Sequence, residues 1–512
     1  MALDANKEDL VVAVVGTGAM GRGIVQVAAQ GGMRVICHDA NAGAAQAARD
    51  YIAGILDTLV AKGRVSGEAA AAALGRITVA NELAEVAKAD VIVEAIVERL
   101  DIKQDLFALL DEMAGPDTII ATNTSSLPVT AIAAKCRHPE RVGGLHFFNP
   151  VPLMKLVEVI PGLKTRPEVT DALMTVGRRM TREPVLCSDS PGFIVNHVGR
   201  AYVPEAARIL SEGIADFAGI DRIMTGAPGF RMGPFTLIDL TGADVSVPVM
   251  ESILDQYYGE PMYAPQPILR ARLDAGMYGQ KSGAGWYGYD GGKRQEPPLP
   301  DVPALSRRPI WMRPSENFPE ASRELEGLLA AAGVPIENGA SPGPDAVILA
   351  TMVGWDLTTA ARDLNLDPAR TVAVDTLFGL KGPRTLMVSP ATAPEIREAA
   401  HAALAADGQA VVVINDSPGF VAQRIVAHII NTACQIAQRG IATPEDIDKG
   451  AKLGLSYPFG PLEWGDRIGP RNVLHILERL HAFYGEPRYR PSPWLKRRAM
   501  LGLSLHAPDR RG

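Results

Sequence analysis

Apolar residues along the chain fall first into short unbroken runs and then into helical periods. Residues 11–15, "VVAVV", form a run of strand length with no polar break, the pattern of a parallel strand buried on both faces. Ile24, Val25, Val27 and Ala28 then recur with helical spacing, and "MRVICHD" supplies a second strand ending at Asp39. Further strand candidates are "DVIVEAIV" (90–97), "TIIATNTSS" (118–126) and "VGGLHFF" (142–148), separated by amphipathic or loop segments such as "DIKQDLFALLDEM". This alternation predicts a doubly wound α/β sheet. Residues 189–290 read as mainly helical, and the prolines of "QEPPLPDVPALSRRPIWMRP" then predict an extended linker.

Beyond the linker the pattern returns. "SDSPGFIVN…EGIADFAGID…GFRMGPFTLID" recurs as "NDSPGFVAQ…RGIATPEDID…SYPFGPLEWGD", at a constant offset of 227 residues from Ser190/Ser417 to Gly233/Gly460. "YYGEP" (257–261) recurs as "FYGEP" (483–487). Upstream, "PDAVILATMV" (344–353) is similar to "ADVIVEAIV" (89–97), and residues 371–390 answer the stretch around "LHFFNPVPLMKLVEVI". Such self-similarity predicts a duplicated unit.

Composition narrows the class. At 512 residues the chain is long enough for several domains, and its charge of −7 with scattered Lys and Arg offers no nucleic-acid footprint. Cys37, Cys136, Cys187 and Cys434 lie far apart without CxxC spacing, which argues against a zinc site or disulfide framework; no metal is expected. The polar N-terminus and the absence of a membrane-length apolar run predict a cytoplasmic protein with no membrane partner.

The first strand runs directly into "GTGAMG", with Gly16, Gly18 and Gly21 in G-x-G-x-x-G spacing and Ala19 and Met20 opening the helix. A lone glycine pattern is weak, but here it joins strand to helix and Asp39 follows eighteen residues past Gly21. Gly16 permits the turn, Gly18 lets the backbone approach a pyrophosphate, and Gly21 allows close helix packing. Asp39 is placed to accept from a ribose 2′-hydroxyl and to repel a 2′-phosphate, so NAD is expected, although Arg34 lies nearby. Ligands of such sheets gather at the carboxyl ends of strands, where Glu98, Ser125 and His146 fall. A single histidine in an apolar run is commonly a core residue; this position argues for chemistry instead.

The combination "GTGAMG", "VEAIVE", "TNTSSL", "LHFFNPVPLMKLVEVI" and "DSPGFIVN" closely resembles the (S)-3-hydroxyacyl-CoA dehydrogenase family over residues 9–290, and more faintly beyond. The resemblance implies that His146 is a catalytic base oriented by Glu158, and that Ser125 and Asn196 hydrogen-bond the reacting oxygen. Glu98, Lys103 and Asn149 match nicotinamide-side or ribose contacts, and Lys281 matches a cofactor-proximal lysine. Lys62 and Arg64 lie in the general segment for coenzyme A without spacing that assigns either.

The expected fold class is an α/β Rossmann-type NAD-binding domain (1–188) followed by a mainly helical C-terminal domain (189–292). After a proline-rich linker (293–317) comes a truncated, degenerate copy of both: a partial Rossmann-like segment (318–415) and a second helical domain (416–512). In that copy Asp375 stands near the place of His146, Met387 near that of Glu158 and Gln423 at that of Asn196, so one active site per chain is expected. The implied reaction is NAD-dependent oxidation of a short-chain (S)-3-hydroxyacyl-CoA, 3-hydroxybutyryl-CoA or 3-hydroxyadipyl-CoA, as in fatty-acid or aromatic-acid (phenylacetate) degradation. The alternatives are a related dehydrogenase of a free hydroxy acid or sugar acid, and a non-catalytic NAD-binding protein. The helical domain serves family members as a dimerisation surface, which implies either a homodimer or a pseudo-dimer within one chain.

Overall fold

In a computed structural model describing residues 3–313 and 319–509, the chain forms two compact units. Residues 314–318 and 510–512, which include the end of the expected linker, the first residue of the partial Rossmann-like segment and the last three residues of the second helical domain, lie outside the described residues. One unit comprises Met1–His197 together with Arg439–Leu455, and the other Val198–Gln438 with Ser456–Gly512.

The first unit is built on eight strands: β1 Val11–Val15, β2 Arg34–His38, β3 Ile77–Val79, β4 Val91–Glu94, β5 Ile119–Thr122, β6 Val142–Phe147, β7 Leu156–Pro161 and β8 Glu183–Leu186. Their order is β3-β2-β1-β4-β5-β6-β7-β8. Pairing is parallel from β3 to β6; β7 then runs antiparallel to β6, and β8 parallel to β7. Val12, Val14, Val91, Val93 and Ile120 are all fully buried, as unbroken apolar strands covered on both faces must be. Helix α1, Ala19–Gln30, packs Ile24, Val25, Val27 and Ala28 into this core, at the positions its periodicity gave.

Helices of the second unit include α2 (Val203–Ser211) and α3 (Phe217–Gly226), after which a short hairpin pairs β9 (Tyr289–Asp290) with β10 (Lys293–Arg294). A second sheet then follows, with β11 Ile310–Arg313, β12 Ile336–Glu337, β13 Val347–Thr351, β14 Thr371–Val374, β15 Arg384–Val388 and β16 Val411–Ile414 in the order β12-β11-β13-β14-β15-β16. It repeats the first sheet's plan, parallel up to β14, antiparallel at β15 and parallel again at β16, with six strands in place of eight. Ile310–Arg313, inside the expected linker, is therefore a strand: "IWM" is a short apolar run whose flanking prolines masked it.

Two helices of the second copy matter below, α4 Ala422–Gln438 and α5 Pro444–Gly454. Within the second unit Arg424 of α4 meets Glu205 of α2 at 2.6 Å with both side chains fully buried, and Tyr489 donates to the same carboxylate at 2.6 Å. A buried ion pair of this kind links the two copies rigidly, since losing either partner strands the other charge. Helix α5, although it follows α4 in sequence, belongs to the first unit.

Among the described residues no helix is long and apolar enough to cross a membrane and no cluster could hold a metal ion. All four cysteines are free.

Candidate active site

Gly16 adopts φ +91°, and a Cβ there would lie 2.7 Å from the Ala95 carbonyl oxygen; one on Gly21 would overlap the Gly16 carbonyl oxygen. Gly18 has nothing within 4 Å of its Cβ position and caps the exposed start of α1. Backbone amides at a helix start lack helical acceptors, so the open glycine with Ala19 and Met20 behind it forms an anion cradle. Asp39, just past β2, accepts from Thr17 N and Oγ1 at 2.7 and 2.9 Å through one oxygen and from Asn41 N and Nδ2 at 2.9 and 3.1 Å through the other. Burial alone would raise its pKa, but these bonds outweigh burial and hold the carboxyl below its usual range. An open cradle beside an ionised, half-buried carboxylate fits a dinucleotide with a free ribose diol.

His146 and Glu158 are direct cross-strand partners on β6 and β7, one residue from the carboxyl end of β6. His146 Nδ1 lies 2.7 Å from Glu158 Oε2, with the two residues 4 % and 0 % exposed. Glu158 Oε1 accepts from the backbone amides of Ile194 and Val195, each at 2.9 Å. The carboxylate is thus fixed on three sides, and it assigns the Nδ1 hydrogen to its own side, leaving Nε2 as the basic nitrogen. Phe148 and Phe193 flank the imidazole at 4.5 and 5.8 Å between ring centroids. Phe193 and Gly192 both have positive φ, the tight turn that delivers the Ile194 and Val195 amides.

Glu98 is the hub of the neighbouring loop. It accepts from Thr124 Oγ1 at 2.7 Å, Ser125 N at 2.8 Å and Ser126 N at 3.1 Å, and Asn196 Nδ2 donates to the Ser125 carbonyl at 3.3 Å. Burial pushes the Glu98 pKa up, but Lys103 and these donors bring it below its ordinary value. Lys103, matched by the family pattern to a cofactor contact, is 1 % exposed, 2.6 Å from Glu94 and 3.2 Å from Glu98. A buried ammonium held by two carboxylates fixes the position of Glu98. Asn149 lies exposed just beyond β6. Lys281 is in the second unit, paired with Asp244 at 2.5 Å.

Three contributors escaped the sequence reading. Glu94 is fully buried, accepting from Lys103 and from Thr122 Oγ1 at 2.7 Å; Asn123 Oδ1 accepts from Phe147 N at 2.8 Å and ties β5 to β6 beside the base. Asp189 accepts from Val129 N and Thr130 N at 2.9 and 2.7 Å. An acid inside the apolar run "VIVE" was the available signal for Glu94.

The model of the 3-hydroxyacyl-CoA dehydrogenase NAD-binding domain matches residues 11–190, and that of the C-terminal domain matches twice, at 192–289 and 419–506. The chain belongs to the 3-hydroxyacyl-CoA dehydrogenase family. It is 37 % identical over 492 residues to a 3-hydroxyadipyl-CoA dehydrogenase of Escherichia coli, covering 96 % of this chain and 97 % of that one. A probable 3-hydroxybutyryl-CoA dehydrogenase of Deinococcus radiodurans is 41 % identical over 54 % of this chain and 99 % of its own length. A crystal structure of an E. coli protein titled 3-hydroxybutyryl-CoA dehydrogenase superposes with TM-score 0.85 at 36 % identity, covering 97 % and 99 % of the two chains. This dehydrogenase is accordingly an oxidoreductase with a nicotinamide-dinucleotide cofactor, in a duplicated form.

The dehydrogenase's second copy lacks the dyad. Met387, the expected counterpart of Glu158, stands opposite Ala373 on β14, two residues short of Asp375, and its sulfur takes the Ser417 amide. Asp375 is bound by Gln423 Nε2 at 2.9 Å, and Gln423 Oε1 accepts from Gly354 N at 2.8 Å. Burial raises the Asp375 pKa to about 6.

Proposed function

We propose that the enzyme oxidises short-chain (S)-3-hydroxyacyl-CoA thioesters to 3-oxoacyl-CoA with NAD, in a single site in the first copy. The observation that carries this reading is the buried His146–Glu158 pair, with the second Glu158 oxygen pinned by two amides. His146 Nε2 takes the substrate hydroxyl proton, and Glu158 stabilises the imidazolium that results. When bound, the nicotinamide accepts the carbinol hydrogen as hydride. Ser125 and Asn196 hold the oxygen as it becomes a carbonyl, on a loop that Glu98 and Lys103 keep in place. Gly16, Gly18, Ala19, Met20 and Gly21 receive the pyrophosphate, and Asp39 selects NAD by accepting from the ribose 2′-hydroxyl. Asn149 is assigned to the nicotinamide ribose and Lys281 to the cofactor's vicinity on the family pattern.

The 3-hydroxybutyryl and 3-hydroxyadipyl thioesters are the substrates to compare, as the relatives' names include both. NADH appearance with each thioester and with the corresponding free acids tests the reading; turnover of free acids alone would overturn it.

We also infer that the second copy takes the place of a partner subunit. In support, α3 of the first copy packs on the second sheet, where Asn415 N donates to Ile214 O at 2.8 Å, while α5 of the second copy packs on the first, where Ser188 N donates to Ile441 O at 2.8 Å. These two bonds are equivalent under the 227-residue repeat. Sedimentation of the full chain as a monomer would agree; a dimer would place the partner role elsewhere.

A further inference from the structure

The exchange of α5 onto the first sheet places it against the turn that orients the catalytic carboxylate. Leu186 N donates to Asp446 Oδ2 at 3.3 Å and Ser188 Oγ to Gly440 O at 3.3 Å, which dock α5 and its leading loop along β8. Two glycines of α5 face the turn after β8. A Cβ on Gly450 would stand 2.8 Å from Ile194 Cγ2; one on Gly454 would stand 2.7 Å from Val195 Cγ2 and 3.0 Å from Leu156 Cδ2. Neither glycine has positive φ, so the backbone does not require glycine there; the close approach does. The equivalent positions in the first copy, under the same offset, are Ile223 of α3 and Ala227 just past its end.

Ile194 and Val195 are the two residues whose amides hold Glu158 Oε1, and both side chains are buried. The chain of contact therefore runs from Gly450 and Gly454 through Ile194 and Val195 to Glu158 and so to His146. Orientation of a base is sensitive to displacements below about 1 Å, and Ile194 and Val195 are both buried.

We propose that α5 of the second copy is a positioning element of the active site in the first, with Gly450 and Gly454 setting how closely it seats behind the Glu158-binding turn. The proposal rests on the assignment of His146 and Glu158 as the catalytic pair. A copy that has lost its own chemistry is thereby retained for the chemistry of the other.

The test uses the full chain carrying Gly450→Ala or Gly454→Ala. Alanine favours helix over glycine, so α5 itself is not weakened. Expected is a fall in kcat of roughly ten- to a hundredfold, with KM for NAD and acyl-CoA little changed. Adding Ile194→Ala to Gly450→Ala removes the clashing Cγ2 and should recover most of the lost kcat. Wild-type kcat in both glycine variants would overturn the proposal, as would a loss of kcat matched by a rise in KM and not rescued by Ile194→Ala. Glu158→Gln separates the two levels: if it too is silent, the assignment of the pair fails; if it alone is damaging, only the role of α5 fails.

Discussion

Replacing Glu158 by Gln changes one oxygen to an NH2 group of the same size, and the structure dictates which way the new amide must face. Ile194 N and Val195 N both donate to Oε1, so the amide oxygen is held there and the NH2 is turned toward His146 Nδ1. A donor facing Nδ1 forces that nitrogen to be the acceptor and moves the ring hydrogen to Nε2, where it blocks base chemistry. The opposite orientation would bring NH2 against two N–H donors, leaving three buried donors without acceptors at roughly 1–3 kcal/mol each. The variant is therefore locked in the wrong tautomer. In a serine-protease triad the corresponding change lowers kcat about 10⁴-fold, and a loss of about 5 kcal/mol in transition-state stabilisation is the matching expectation. The assay is NADH formation at saturating NAD and (S)-3-hydroxybutyryl-CoA, with NAD affinity measured separately and expected to be unchanged. A kcat within a few-fold of wild type would refute the tautomer argument and the role of Glu158 with it.

Two other predictions follow from groups away from the reacting atoms. Asp39→Ala should lower kcat/KM for NAD by roughly tenfold or more and narrow the preference over NADP; an unchanged NAD/NADP ratio in steady-state kinetics would remove Asp39 from cofactor selection. Asp375, with its folded pKa raised to about 6 by burial, holds its proton more tightly folded than unfolded. That site therefore loses stability as pH rises from about 4 to 6 and is flat above. Asp375→Asn should stabilise the chain by roughly 2–3 kcal/mol at pH 8 and abolish that slope in urea unfolding, whereas parallel pH dependence in both proteins would show that no buried charge is involved.

The parts of this architecture carried by short-range pattern were legible in the sequence. "VVAVVGTGAMG" specifies strand, turn and helix start within eleven residues, and the structure has Gly16 in a positive-φ turn and Gly21 closely packed against it, as the spacing implied. Long-range features were not. That His146 and Glu158 face each other follows from antiparallel pairing of β6 and β7, which "VPLMKLVEVI" does not announce. Lys103 looks like any helical lysine until Glu94 and Glu98 close on it. The second copy's register could not be fixed by eye, since an apolar pair such as Ala373 and Met387 leaves no chemical mark. Least legible was α5, whose first-copy counterpart shares its "ID" core and whose exchange onto the first sheet is set by tertiary contacts alone.

The most direct test of the account is NADH formation by the purified full chain and by its His146→Gln variant, with (S)-3-hydroxybutyryl-CoA, 3-hydroxyadipyl-CoA and the two free acids. The account predicts turnover confined to the thioesters, NAD binding retained in both proteins, and a kcat for His146→Gln lower by roughly two to four orders of magnitude. Turnover of the free acids only, or a His146→Gln enzyme as fast as wild type, would contradict it.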